Sequence, residues 1–209
     1  MISSFEEASS LLPKYLSPAG KQELFAEIRN FFELRGADGY YANFQDEEPI
    51  QGDGWSEIPC IVDVQKATVK RTRVCVVSNS CDISDENANG TWGSFVPVTI
   101  VPIVRLDRFR QLLLTNNISQ TVVDEKIRTI RRQEISTIFF LPKGQLLEED
   151  SIALLDLPYP TGRSLFDNAE GTTRLFRLSQ MGWWLFLVKL AIHLCRAQEN
   201  IQRNNAGQG

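Results

Sequence analysis

Arg73 to Asn87 reads R-V-C-V-V-S-N-S-C-D-I-S-D-E-N. Val74 to Val77 is a short apolar, β-branched run, the composition of a buried strand. The chain then turns polar at once through Ser78, Asn79, Ser80, Cys81 and Asp82, with Asp85, Glu86 and Asn87 following Ile83. A buried strand that ends in short hydrogen-bonding side chains and a thiol predicts either a site or a self-bonded turn.

On the N-terminal side of this run, Gly52-Asp53-Gly54 marks a sharp turn. Trp55 to Val64 predicts a strand, with Pro59 at an edge or bulge, and Lys66 to Arg71 reads as a basic connector. Downstream, Phe95 to Val104 predicts a long apolar strand, broken or bulged near Pro97 and Pro102. Asp107 to Leu114 predicts a helix, and Ser119 is placed to cap another that carries Lys126, Arg128, Arg131 and Arg132. Ile135 to Leu141, Ser151 to Leu157 and Thr173 to Leu178 predict strands, with an irregular loop from Pro158 to Gly171. Ser179 to Arg203 predicts a final helix, apolar around most of its circumference, with a narrow polar stripe of Lys189, His193, Arg196 and Asn200. Such a helix is nearly engulfed.

Ahead of these elements, Ser4 with Glu7 fits a capping box. Ser17-Pro18 opens a helix with Leu24, Phe25, Ile28, Phe31 and Phe32 at helical spacing, stopped by Gly36. Residues 1–37 therefore form a helical appendage and residues 38–203 the main domain, and 204–209 form a disordered tail. About six short strands joined mostly by loops predict an α+β fold. Its sheet is curled and mainly antiparallel, or closed as a small SH3-like barrel, with N-terminal helices and a buried C-terminal helix.

Of the 209 residues, 43% are hydrophobic and 23% charged, including 12 Phe and four Trp, so a sizeable core forms without staples. The net charge of −4 argues against nucleic-acid binding through global charge and leaves local basic patches. Cys60, Cys75, Cys81 and Cys195 form no C-x-x-C pair, and ligand-type side chains are scattered, so no metal site and no cofactor is assigned. The start M-I-S-S-F-E-E lacks the features of a signal peptide, which predicts a cytoplasmic chain with reduced thiols. The apolar run from Gly182 to Cys195 is too short for a span, which needs ~20 residues, so no membrane partner is expected.

Two candidate chemistries follow. Cys81 and Asp82 form a nucleophile and its neighbour if His193, the only histidine, and Arg196 and Lys189 on its stripe converge on them. In that arrangement Ser78, Asn79 and Asn87 line the site. Alternatively, Asp82 and Asn87 bond backbone groups in a turn, Cys81 fills space, and His193 bonds a carbonyl at a helix edge. Two basic groups, Lys66, Lys70, Arg71 and Arg73, and then Lys126, Arg128, Arg131 and Arg132, track a phosphate backbone or form a solvated face. Tyr40, Tyr41 and Phe44 beside Asp46, Glu47 and Glu48 form a partner-docking surface or cover the core. A protein partner is expected, and a homo-oligomer is compatible with the sequence.

The run V-V-S-N-S-C-D-I-S-D-E-N resembles an S-N-T-C-D-I-x-x-E-N signature found in a group of bacterial proteins without an assigned activity. Gly52-Asp53-Gly54-Trp55, the F-L-P at Phe140 to Pro142, and an L-S-x-x-G-x-x-x-F-x-x-K-L-x-x-H run from Leu178 to His193 occur in the same order. A second, weaker resemblance is to the barrels of PemK/MazF-type toxins, which are endoribonucleases. It rests on Gly52-Asp53, on Arg73-Val74-Cys75-Val76-Val77-Ser78 and on Val101-Pro102-Ile103. That resemblance implies a catalytic Arg at Arg71 or Arg73, and a Thr at Thr99 if Pro97 is matched. If Pro102 is matched, the Thr position holds Val104. The Cys-Asp motif is absent from those toxins. The toxin resemblance also implies a mobile-element or phage-conflict setting, with antiviral defence and RNA binding as the associated functions.

Overall fold

The computed structural model describes residues 39–44, 48–63, 65–66, 68–84, 86, 95–167 and 171–194. The expected helices within 1–37, the tail at 204–209, and the candidate residues Asn87 and Arg196 lie outside the described residues.

Strand β1 (Gly54–Asp63) runs antiparallel to β2 (Thr68–Val76), and β2 runs antiparallel to β3 (Pro97–Arg105). Helices α1 (Leu106–Thr115) and α2 (Gln120–Arg131) follow. Then come β4 (Ile138–Leu141), β5 (Ser151–Leu154), β6 (Tyr159–Gly162), β7 (Arg174–Phe176) and α3 (Gln180–Leu194). The seven strands lie in the order β4-β5-β3-β2-β1-β7, with β6 also on β3, and every named pairing is antiparallel. The fold is α+β with a curled sheet. β4 and β7 do not pair with each other, so the sheet is open rather than a closed barrel.

Three details differ from the sequence reading. β2 begins at Thr68, so Lys70 and Arg71 of the expected connector are strand residues, opposite Cys60 and Pro59. Backbone pairing with β1 there outweighs polar side-chain composition. Secondly, Pro102 does not break β3, because it sits in unbroken register opposite Val74. On the opposite edge β3 passes from β6, paired as far as Ile100, to β5, paired from Ile103. Thirdly, Tyr159–Gly162 is a strand inside the expected loop, with Pro160 on an edge that tolerates the missing N–H.

Successive residues of β2 point to opposite faces, and both faces are covered. Val74 and Val76 pack with Trp55, Ile58, Val98, Ile100 and Phe166, and Ile83 of the C-D-I run folds back into this cluster, fully buried. On the other face Cys75 joins Val101, Phe139, Phe176 and Phe186 beneath α3. A third cluster, Leu106, Ile130, Ile138, Phe140 and Ile152, lies under α1 and α2.

The stripe of α3 that looks most interrupted in sequence is its most buried. Gly182, Leu185, Phe186, Lys189 and Leu190 all face inward. A Cβ at Gly182 would stand 2.5 Å from the Tyr40 carbonyl oxygen, so only glycine lets α3 approach this closely. Lys189 Nζ donates to the carbonyls of Gln133, at 2.6 Å, and Ile135. These carbonyls lie just beyond the C-terminus of α2, where unsatisfied acceptors and the helix dipole favour a cation. Burial nevertheless pushes the Lys189 ammonium down to about 8, with Glu134 pulling the other way. Gln133 itself, at φ 60°, turns its side chain inward. Its Nε2 donates to Tyr40 Oη and to Phe140 O, and its Oε1 accepts from Phe140 N–H.

A Cβ at Gly54 would stand 2.1 Å from the ring of Phe176, which is itself fully buried. Gly54→Ala is therefore expected to destabilise the fold by ~1–3 kcal/mol through overpacking. Adding Phe176→Leu is expected to recover at least ~0.5 kcal/mol of that loss. Urea unfolding of both single variants and the double variant measures the coupling, and strict additivity would contradict the clash.

Candidate functional site

The polar run after β2 is built into the end of the sheet. Ser78 Oγ accepts from Thr99 N–H at 2.7 Å, and Ser80 Oγ accepts from Gln51 N–H at 3.0 Å. Gln51 Nε2 donates to Val77 O at 2.7 Å, and its Oε1 accepts from Trp183 Nε1 at 3.3 Å. Asn79 Oδ1 takes the Cys81 N–H at 2.9 Å, and Asn79 O takes the Asp82 N–H at 3.1 Å. This is the self-bonded turn of an Asx-type side chain. It lets Ile83 reach the core, where its carbonyl accepts from buried Arg163 Nε at 3.1 Å. Cys81 and Asp82 are exposed on the outside of the turn.

Of the other proposed partners, His193 and Lys189 are on α3. Trp183, in its first turn, touches the Cys81 turn through Gln51. His193, half-buried, lies in the last described turn, ten residues on, about 15 Å along the axis. Lys189 is turned into the core, as described above. Among the described residues no group of three or more His, Cys, Asp or Glu side chains is arranged to hold a metal ion. Cys60 and Cys75 are buried, and burial pushes both thiols up.

The register also positions the Arg and Thr of the toxin resemblance. Arg73 faces a bulge of β1 between Trp55 and Ile58, where Glu57 adopts φ 57°. Arg71 Nη1 donates to Glu57 O at 3.1 Å. Val77 N–H bonds Thr99 O at 2.8 Å, so Arg73 and Thr99 are separated by four positions of the ladder, about 13 Å.

A buried charge cluster among the described residues is one that the sequence reading did not single out. Asp53, fully buried, receives Arg177 in a two-pronged grip, Nε to Oδ1 at 3.1 Å and Nη2 to Oδ2 at 3.0 Å. Arg174 Nε lies 3.2 Å from Oδ2, and Ile50 N–H donates to the same oxygen at 3.2 Å. Both guanidinium groups also donate to Glu48 O, at 2.7 and 2.8 Å. Arg174 is stacked between Phe44 and Trp55, each 4.8 Å from its ring centre. Burial pushes the Asp53 carboxyl up, against the pull of Arg177 and then Arg174. In sequence Asp53 is a turn residue between glycines, and nothing there pairs it with arginines more than a hundred positions away.

The aromatic segment at Tyr40 and Tyr41 covers the core. Tyr40 is buried with its hydroxyl on Phe140 O at 2.7 Å, and Tyr41 Oη donates to Pro142 O.

The basic residues of α2 are on the surface. Arg128 pairs with Glu125 at 2.6 Å, Arg131 with Asp150 at 2.6 Å, and Arg132 with Glu134 at 3.2 Å. Each of these arginine side chains is more than half exposed, so the pairs add little stability. Leu112 and Val122 are 57% and 56% exposed, each within about a turn of the Asn116–Ser119 connection between α1 and α2. No helix among the described residues is long and apolar enough to cross a membrane. No protein-family model matches the sequence, and no curated protein matches it.

Proposed function

We propose that this protein is a binding or accessory protein of the bacterial cytoplasm that engages a protein partner through the α1–α2 hairpin. The observation carrying this reading is the pair Leu112 and Val122, large aliphatic side chains more than half exposed near the tip of a helical hairpin whose connection is mostly polar. Exposed apolar groups rimmed by polar ones mark contact surfaces. The bonding of Ser78, Asn79 and Ser80 supports the same reading, because these side chains hold the Cys81 turn to the sheet. A toxin-linked or phage-conflict setting remains part of the proposal by resemblance alone.

The test is affinity capture from a bacterial lysate with the wild type and with Leu112→Asp/Val122→Asp. Both positions are exposed, so the variant is expected to keep its urea midpoint while losing a stoichiometric partner. Equal capture by both would overturn the assignment to this hairpin. Metal-independent RNA cleavage by the purified protein, abolished by Arg73→Ala, would overturn the binding reading in favour of a ribonuclease.

A further inference from the structure

Between the start of α1, the last turns of α2 and the β4–β5 connection lies a cleft of about 350 Å³, lined by Leu106, Asp107, Arg110, Ile127, Arg131, Lys143 and Asp150. Its size is at the lower end for small-ligand sites. Leu106 and Ile127 supply an apolar floor, and three cations against two carboxylates leave a net lining charge of +1. The two carboxylates are not equivalent. Asp150 is already neutralised, because its Oδ2 takes Arg131 at 2.6 Å and its Oδ1 the Lys143 backbone N–H at 3.0 Å. Asp107, exposed, stands at the first turn of α1, where the positive end of the helix dipole offsets it. Arg110 uses Nη2 for Asp124 at 3.0 Å, outside the cleft, and Arg131 is braced against the ring of Phe140 at 5.6 Å. Each arginine has further N–H groups on its fork. No ion pair to the Lys143 ammonium is found among the described residues.

Resting on the partner-binding reading of the same hairpin, the geometry points to this cleft as the receptor for one acidic side chain of the partner. Its carboxylate is held by Lys143, Arg110 and Arg131, and its methylene stem lies on Leu106 and Ile127. Arg110 and Arg131 already face Asp124 and Asp150, so a monoanion matches the one further cation of the lining, Lys143. A dianionic phosphate would bring one more negative charge than Lys143 offsets.

The experiment uses the full chain and the probe N-acetyl-Leu-Glu-Leu-amide, with its Gln analogue and phenyl phosphate as comparisons. The arginine Nε–H signals of Arg110 and Arg131 are followed by NMR. The Glu peptide is expected to shift both signals saturably, with the Gln peptide weaker by about tenfold or more, the scale of a charge-assisted contact. Lys143→Glu is expected to abolish the response, and Lys70→Glu, the same charge change on β2, to leave it intact. Equal binding of the Glu and Gln peptides, a response to phenyl phosphate alone, an unaltered response in Lys143→Glu, or no response would each overturn the assignment. Capture of the partner that depends on Leu112 and Val122 but not on Lys143 would overturn the cleft and leave the hairpin standing.

Discussion

Asp53→Ala is expected to cost about 3–5 kcal/mol of folding stability, the range for removing one partner of a buried ion pair. The magnitude follows from what is left behind. Arg174 is 6% exposed and is fixed between Phe44 and Trp55, so it cannot turn to water when its carboxylate is gone. Arg177 would lose both of its bonds to the carboxylate, and Ile50 N–H would lose its side-chain acceptor. Asp53→Asn retains the shape and one acceptor, so its loss should be smaller, and Arg128→Ala on the surface should change stability by less than about 0.5 kcal/mol. Urea unfolding of the three variants orders them. An Asp53→Ala protein within about 1 kcal/mol of the wild type would mean that the two arginines find other partners.

Lys189 gives the second large effect, and its sign is set by burial. Its folded pKa is about 8 against an ordinary 10.5. Below pH 8 both states hold the proton, and the folded state bears the full cost of a buried charge. Between pH 8 and 10.5 the folded protein has released that proton and the unfolded chain has not. The unfolded state then binds more protons, so stability from this group rises with pH. The buried thiols of Cys60 and Cys75 and the hydroxyls of Tyr40 and Tyr41, all pushed up by burial, act in the opposite direction at alkaline pH. The informative quantity is therefore the difference between the wild type and Lys189→Met. That difference should move in favour of the wild type by ~2–3 kcal/mol from pH 8 to 10.5. A flat difference would place Lys189 in contact with water.

Much of the candidate site was legible as local chemistry. A β-branched run followed by Ser-Asn-Ser-Cys-Asp announces a strand and a turn whose side chains bond backbone, and Asn79 and Ser78 do so. The role of Ile83 was less visible, because one apolar residue in a polar run has no periodicity to read. The Tyr40–Gln133–Lys189 network was hidden for a related reason. Lys189 interrupts the apolar pattern of α3 and reads as a solvent stripe, since composition does not reveal that two carbonyls wait at the end of α2. Asp53 and its arginines are separated by most of the chain, and charge pairs at such distances carry no spacing signal.

By itself the sequence determined the class of the fold, the strands on either side of Cys75, the helices around Arg110 and Arg128, and a final helix too apolar to stand in water. Those properties follow from side-chain periodicity, which acts within a few residues. Only the tertiary structure decided that the sheet stays open, that β6 forms, and that the inward face of α3 is the one carrying Gly182 and Lys189. Those outcomes depend on which backbone groups remain unpaired after local structure has formed, and on which distant side chains arrive to satisfy them.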